Sequence, residues 1–220
     1  MVKVKICGLT QLDDALVAAA AGADMLGFIL WEGSKRAISA EALRKITTQL
    51  RQLDHCPTLV GVFVNRSATE IAHTLDFCDL DLAQLHSNEP PSLIHDPNNR
   101  LHKRAYKALR PQNYVEAAAD SAAFLPLSCH PDHPQLLVDA YHPTEYGGTG
   151  ELSDWEIARR LVATVPQLLL AGGLNPHNVA AAIAQTGVWG VDVASGVEAR
   201  AGIKDQAAVR AFIRAAKAAR

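Results

Sequence analysis

Short apolar runs alternate with helical patterns along the whole chain, and that alternation leaves few architectures open. Strand-like runs fall at residues 2–6, 25–30, 58–64, 80–85, 103–109, 136–141, 168–171 and 188–193, the first alternating with lysines, the fourth interrupted by Asp81 and Gln84, and the fifth polar in part. Between them lie helical signals. Leu12, Ala15, Leu16 and Ala19 share one face and stop at Gly22, and Ser39 precedes Leu43, Ile46 and Leu50. Ser67-Ala-Thr-Glu70 and Ser153-Asp-Trp-Glu156 read as capping boxes. Pro90-Pro91 opens a short helix, an alanine-rich helix runs to Ala119, Asn175-Pro176 starts another, and the last begins at about Asp205. Strands that alternate with helices call for a parallel sheet with the helices outside. Eight such units in 220 residues fit a closed (β/α)₈ TIM barrel, one domain over residues 1–220. An open doubly wound sheet would want a G-x-G-x-x-G turn after the first strand, where this chain has Cys7-Gly8-Leu9-Thr10.

Composition narrows the partners. A formal net charge of −2 gives no global attraction to nucleic acid or to an anionic membrane, so an anionic ligand must be held locally. The four cysteines, Cys7, Cys56, Cys78 and Cys129, are widely spaced with no C-x-x-C pair, which fits a reducing compartment. No uninterrupted apolar stretch is long enough for a membrane span. Met1 leads straight into a strand without a signal-sequence pattern, so a cytoplasmic location is expected.

In such a barrel, functional groups gather at the C-terminal strand ends, and a phosphate site commonly forms after the last two strands. The polar residues at or beside strand ends are Cys7, His86, Asp139 and Asp192. Thr10 with Asp13 reads as a helix start, which would set Cys7 near backbone N–H groups that favour a thiolate. Gly172-Gly173 and Ser195-Gly196 end the seventh and eighth strands and would let backbone N–H groups approach an anion. Each has a structural reading as well. Cys7 serves as a small buried hydrophobe, Asp139 as a cap or salt-bridge partner, His86 as a hydrogen-bonding residue, and Asp192 as a loop-orienting carboxylate. The stretch Tyr146-Gly147-Gly148-Thr149-Gly150 is either a plain connection or a lid. His130 and His133 would give a metal two ligands with no third placed by spacing, so no metal is expected.

Several segments together carry a resemblance. They are Lys5-Ile-Cys-Gly-Leu-Thr10, Ser34-Lys-Arg36 with Ile38, Gly61-Val-Phe-Val-Asn65 and Gln84-Leu-His86. They continue with Val138-Asp-Ala140, Gly147-Gly-Thr-Gly150, Leu170-Ala-Gly-Gly-Leu-Asn175, Gly190-Val-Asp-Val193 and Ser195-Gly-Val-Glu198. In this set the chain resembles phosphoribosylanthranilate isomerase, a (β/α)₈ enzyme of tryptophan biosynthesis. It departs from the family pattern at Ser87, Ala194 and Glu151. The resemblance implies Cys7 as general base and Asp139 as general acid. It implies Arg36 as the partner of the anthranilate carboxylate, and His86 and Asp192 as active-site residues near the sugar. Gly173, Ser195 and Gly196 match the phosphate-binding loops, with Gly172 adjoining.

The implied reaction is an Amadori rearrangement without cofactor. The substrate is phosphoribosylanthranilate, and a monomer is expected. Asp139 must hold a proton when substrate arrives, which partial burial favours, and Cys7 must be partly thiolate. Two other readings compete. A different sugar-phosphate barrel, such as an indole-glycerol-phosphate synthase or an epimerase, would use a strand-end lysine, for which Lys107 is the candidate. A non-catalytic sugar-phosphate sensor would keep the glycines and Ser195 but could dispense with Cys7 and Asp139.

Overall fold

The computed structural model describes residues 1–128, 130–139 and 155–219. Eight parallel strands close into a barrel in sequence order, β1 (Lys3–Ile6), β2 (Met25–Ile29), β3 (Thr58–Phe63), β4 (Leu82–Leu85), β5 (Ala105–Leu109), β6 (Leu136–Val138), β7 (Leu168–Leu170) and β8 (Gly190–Val193). The helices between them are α1 (Leu12–Ala20), α2 (Ala40–Leu50), α3 (Ala68–Phe77), α4 (Ser92–His95), α5 (Tyr114–Phe124), α6 (Trp155–Leu161) and α7 (Val179–Thr186), with α8 (Gln206–Ala218) closing the ring. This is the (β/α)₈ barrel that the alternation predicts. Cys129, the glycine-rich stretch 146–150, Glu151 and the first half of the box at 153–156 lie outside the described residues.

Most of the helix starts follow their caps. Ser39 accepts from the Ala42 N–H, and Ser67 and Glu70 form the reciprocal box opening α3. Asn113 caps α5, which runs on to Phe124, past the predicted end at Ala119. Two expectations need correcting. Thr10 does not cap α1; its hydroxyl donates to the Gly202 carbonyl, and α1 begins only at Leu12. Nor does α7 start at Pro176. Residues 175–178 form a turn in which the Asn178 side chain accepts from the Asn175 N–H at 2.8 Å and donates to the Gly173 carbonyl at 3.0 Å, and the helix begins at Val179.

Side chains alternate along each strand, so every strand serves two cores. Between barrel and helices lies the larger, with Val4, Ile6, Leu26, Phe28, Leu59 and Leu85 among its members. Inside the barrel lies a smaller one around Met25, Val60, Leu82, Tyr106, Leu137 and Leu169. Burying each such side chain contributes about 1.5–3 kcal/mol. The inner column then turns polar toward the C-terminal end, where Lys5, Gln84 and Asp192 are buried.

One element was not anticipated. After β8 the chain makes a 3₁₀ turn (Ser195–Val197) and a small antiparallel hairpin, β9 (Glu198–Arg200) and β10 (Ile203–Lys204). Thr10 holds its tip, and Asp14 accepts from the Lys204 N–H at 2.9 Å, so the hairpin lies against the β1–α1 connection. On the opposite end, the His130 and His133 rings pack with centroids 4.8 Å apart, and no third metal-ligating side chain joins them among the described residues.

Candidate active site

Because all eight strands run the same way, their C-terminal ends share one mouth. Cys7 directly follows β1, His86 follows β4 and Asp139 follows β6, while Asp192 sits within β8. Arg36 comes from the loop after β2, Gly172 and Gly173 follow β7, and Ser195 and Gly196 follow β8. The sequence-derived site residues therefore converge.

Register explains the contacts that join them. Lys5 and Asp192 are direct neighbours across β1 and β8, and their side chains form a buried ion pair at 3.1 Å. Gln84 and Tyr106 are neighbours across β4 and β5. The Gln84 carbonyl oxygen accepts from Lys5 Nζ at 2.9 Å and from the Tyr106 hydroxyl at 2.8 Å. The Gln84 amide nitrogen lies 2.7 Å from His86 Nδ1. On its far side, His86 Nε2 is 3.5 Å from Asp139 Oδ2. Lys5 Nζ also faces the Cys7 thiol. A side chain on Gly27 of β2 would crowd both, since its Cβ would stand 2.7 Å from Cys7 Sγ and 3.1 Å from Lys5 Nζ. A continuous chain of contacts thus runs from Cys7 through Lys5, Gln84 and His86 to Asp139.

The electrostatics depart from the expectation for Cys7. The residue is only 5% exposed, and α1 begins not at Thr10 but at Leu12. Burial pushes its pKa up, and Lys5 is the main group that opposes this. Burial also works against the Lys5 charge, but Asp192, with Cys7 and Tyr106, holds the ammonium above its usual range. Asp139 is more open, its side chain 29% exposed. One oxygen of Asp192, Oδ1, is buried without a hydrogen-bond partner among the described residues, an acceptor available to a ligand hydroxyl.

Arg36 is held from behind. Its Nε and Nη2 each donate to Glu198 at 2.8 Å, a bidentate pair that leaves Nη1 without a hydrogen-bond partner among the described residues. Glu198 is nearly buried and also accepts from Lys204 Nζ at 3.0 Å. Burial opposes its charge, yet Arg36 and Lys204 keep its carboxyl below the usual range. Lys204 Nζ donates in addition to the Ala194 carbonyl at 2.9 Å, at the entrance to the Ser195-Gly196 loop. Gly172 and Gly173 adopt φ of +93° and +63°, the turn that brings the β7 loop alongside. The two loops touch so closely that a Cβ on Gly196 would lie 1.9 Å from the Leu174 carbonyl oxygen.

Sequence reasoning assigned no role to Lys5, Gln84, Tyr106, Glu198 or Lys204. Lys5, Gln84 and Glu198 lie within the segments that carry the resemblance, but only strand pairing and the β9–β10 hairpin reveal what they meet. Lys107, the lysine that a synthase reading would need, does not face the mouth. It alternates with the inward-facing Tyr106 and Ala108 and lies between barrel and helices. There it pairs with Glu89 at 3.0 Å and donates to the Ser87 and Leu85 carbonyls.

Known proteins match along the whole chain. The family model described as N-(5'-phosphoribosyl)anthranilate (PRA) isomerase matches residues 4–215. N-(5'-phosphoribosyl)anthranilate isomerase of Pelobacter propionicus is 42% identical over 220 residues, covering 100% of this chain and 98% of that protein. The crystal structure of phosphoribosyl anthranilate isomerase from Thermotoga maritima superposes with a TM-score of 0.85 at 37% identity, covering 99% of each chain. A second crystal structure of a phosphoribosyl anthranilate isomerase, in complex with reduced 1-(o-carboxyphenylamino)-1-deoxyribulose 5-phosphate, gives a TM-score of 0.79 at 33% identity, again covering 99% of each chain. With a matching fold, converging strand ends and full-length relatives, the chain belongs to the phosphoribosylanthranilate isomerase family.

Proposed function

We propose that Cys7 and Asp139 are the base and acid of the isomerisation of N-(5'-phosphoribosyl)anthranilate to 1-(2-carboxyphenylamino)-1-deoxyribulose 5-phosphate, a step of tryptophan biosynthesis. The observation that carries the assignment is the contact chain linking the two residues across one barrel mouth. Asp139 gives its proton to the furanose ring oxygen as the C1′–O bond breaks, which leaves a C4′ hydroxyl and a protonated Schiff base. Cys7, as thiolate, then takes the C2′ proton, and the electron pair moves to form an enolamine. Tautomerisation of the enolamine yields the ketone, so one proton is given, one is taken, and no redox partner is needed. Lys5 faces the sulfur and favours the thiolate that burial opposes. The unpartnered oxygen of Asp192 suits a ribose hydroxyl. Gly172, Gly173, Ser195 and Gly196 line the two touching loops, whose backbone N–H groups suit the phosphate.

Residues 1–220 act on this reading as one cytoplasmic domain. Cys7, Cys56 and Cys78 are free thiols, which suits a reducing compartment. The chain acts as a monomer on this reading. The direct test is addition of the purified protein, without metal or nucleotide, to phosphoribosylanthranilate. The intrinsic fluorescence of phosphoribosylanthranilate is expected to fall as product forms, and unchanged fluorescence would overturn the reading.

Arg36 serves as the carboxylate anchor through the guanidinium edge that Glu198 does not occupy. Arg36→Met is expected to raise KM about tenfold to a hundredfold, the loss of a charge-assisted pair of about 1.5–3 kcal/mol. Turnover at saturation should change less. Steady-state kinetics on the folded variant test this, and an unaltered KM counts against the role.

A further inference from the structure

We propose that Gln84 is a positioning residue that sets the tautomer of His86 and, through it, the direction in which Asp139 presents its proton. The inference rests on the assignment of Asp139 as the acid. Lys5 has no lone pair to offer, so its ammonium must meet the carbonyl end of the Gln84 amide, 2.9 Å away. The Tyr106 hydroxyl donates to the same oxygen from 2.8 Å. The amide N–H₂ is therefore turned toward His86 Nδ1, 2.7 Å away, and that nitrogen must accept. A neutral imidazole so constrained carries its hydrogen on Nε2, the atom that faces Asp139 Oδ2 at 3.5 Å.

This orientation has a chemical consequence at Asp139. An Nε2–H facing Oδ2 across 3.5 Å favours the acidic proton on Oδ1, the other carboxyl oxygen. It also stabilises the carboxylate that forms once the ring oxygen has been protonated. The opposite tautomer would present a lone pair to Oδ2. The acidic proton would then bind Oδ2 and point into His86, away from the substrate.

Gln84→Glu inverts the constraint with almost no change of shape. One carboxylate oxygen keeps Lys5 and Tyr106, and the other becomes an acceptor facing Nδ1, which draws the imidazole hydrogen to Nδ1. The experiment is ¹⁵N NMR of histidine-labelled protein at a pH of about 8.5, above the ordinary imidazole range. The His86 resonances are identified by their loss in His86→Asn. The expected result is an Nε2–H tautomer in the unaltered protein and an Nδ1–H tautomer in Gln84→Glu. With the switch, kcat should fall at least about tenfold, part of the about 10²–10⁴ that a general acid contributes, while KM stays within a few-fold. Gln84→Met, which neither donates nor accepts strongly, should give a mixture of tautomers if the glutamate variant does not fold. An Nδ1–H form in the unaltered protein, an unchanged tautomer in both variants, or a switched tautomer with full kcat would overturn the proposal. Normal turnover in Asp139→Asn, with the tautomer switch still seen in Gln84→Glu, would instead remove the acid assignment for Asp139 and the proposal with it.

Discussion

Cys7→Ala is expected to fold as the unaltered protein does and to lose about 10²–10⁴ in turnover, the usual contribution of a positioned base. Folding survives because the change removes a single sulfur atom from a site already tight around Gly27, so the cavity is small. Catalysis does not survive, because the lysine that faces the sulfur cannot take over as base. Lys5 is held protonated by Asp192. The pH profile adds a second readout. Burial raises the Cys7 pKa, so in the free protein the thiol predominates near neutrality, and kcat/KM should climb with pH as thiolate forms. That rising limb should be missing from the residual activity of Cys7→Ala. Thermal unfolding and stopped fluorescence assays on the two proteins provide the comparison. Turnover close to normal in the variant would remove Cys7 from the base role.

Asp139→Asn is expected to cost a comparable about 10²–10⁴ in kcat, for a different reason. Asparagine keeps the shape and retains an oxygen that can accept from His86, but it has no acidic proton to give the ring oxygen. Asp139 is partly open and is not packed in either apolar core, so the substitution should leave stability within about 0.5 kcal/mol. Binding should also persist, because Arg36 and the loops after β7 and β8 hold the two ends of the ligand on this reading. KM within a few-fold of normal, with collapsed kcat, is the expected split. Equal loss in both parameters, or normal turnover, would contradict the acid assignment.

The barrel was legible because several parallel strands, buried on both faces, read as plain apolar runs, and eight strand-like segments alternate with helical patterns. Strand ends were legible for the same reason, which is why Cys7, His86 and Asp139 could be picked out. What lay inside was not. Lys3 and Lys5 alternate with Val2, Val4 and Ile6 in a pattern that suggests one wet face. Yet Lys5 is fully buried, because in a closed barrel the second face is the interior. Its partners depend on register, which brings Asp192 beside it from 187 residues away. The same holds for Gln84 and Tyr106 across β4 and β5. Glu198 ends a segment of the resemblance, but its partners were not legible, because the hairpin that places it has strands of three and two residues, too short to leave a periodic signal. The expected helix start at Thr10 failed because tertiary structure claimed its hydroxyl for Gly202.

Glu198 grips Arg36 on one side and Lys204 on the other, and Lys204 in turn holds the carbonyl of Ala194. The two anchoring points proposed for the ligand are therefore braced against each other and behave as the fixed jaws of a caliper. Such a device gauges the span between two negative ends of a molecule. An anion with the right head but the wrong length would satisfy one jaw and leave the other empty.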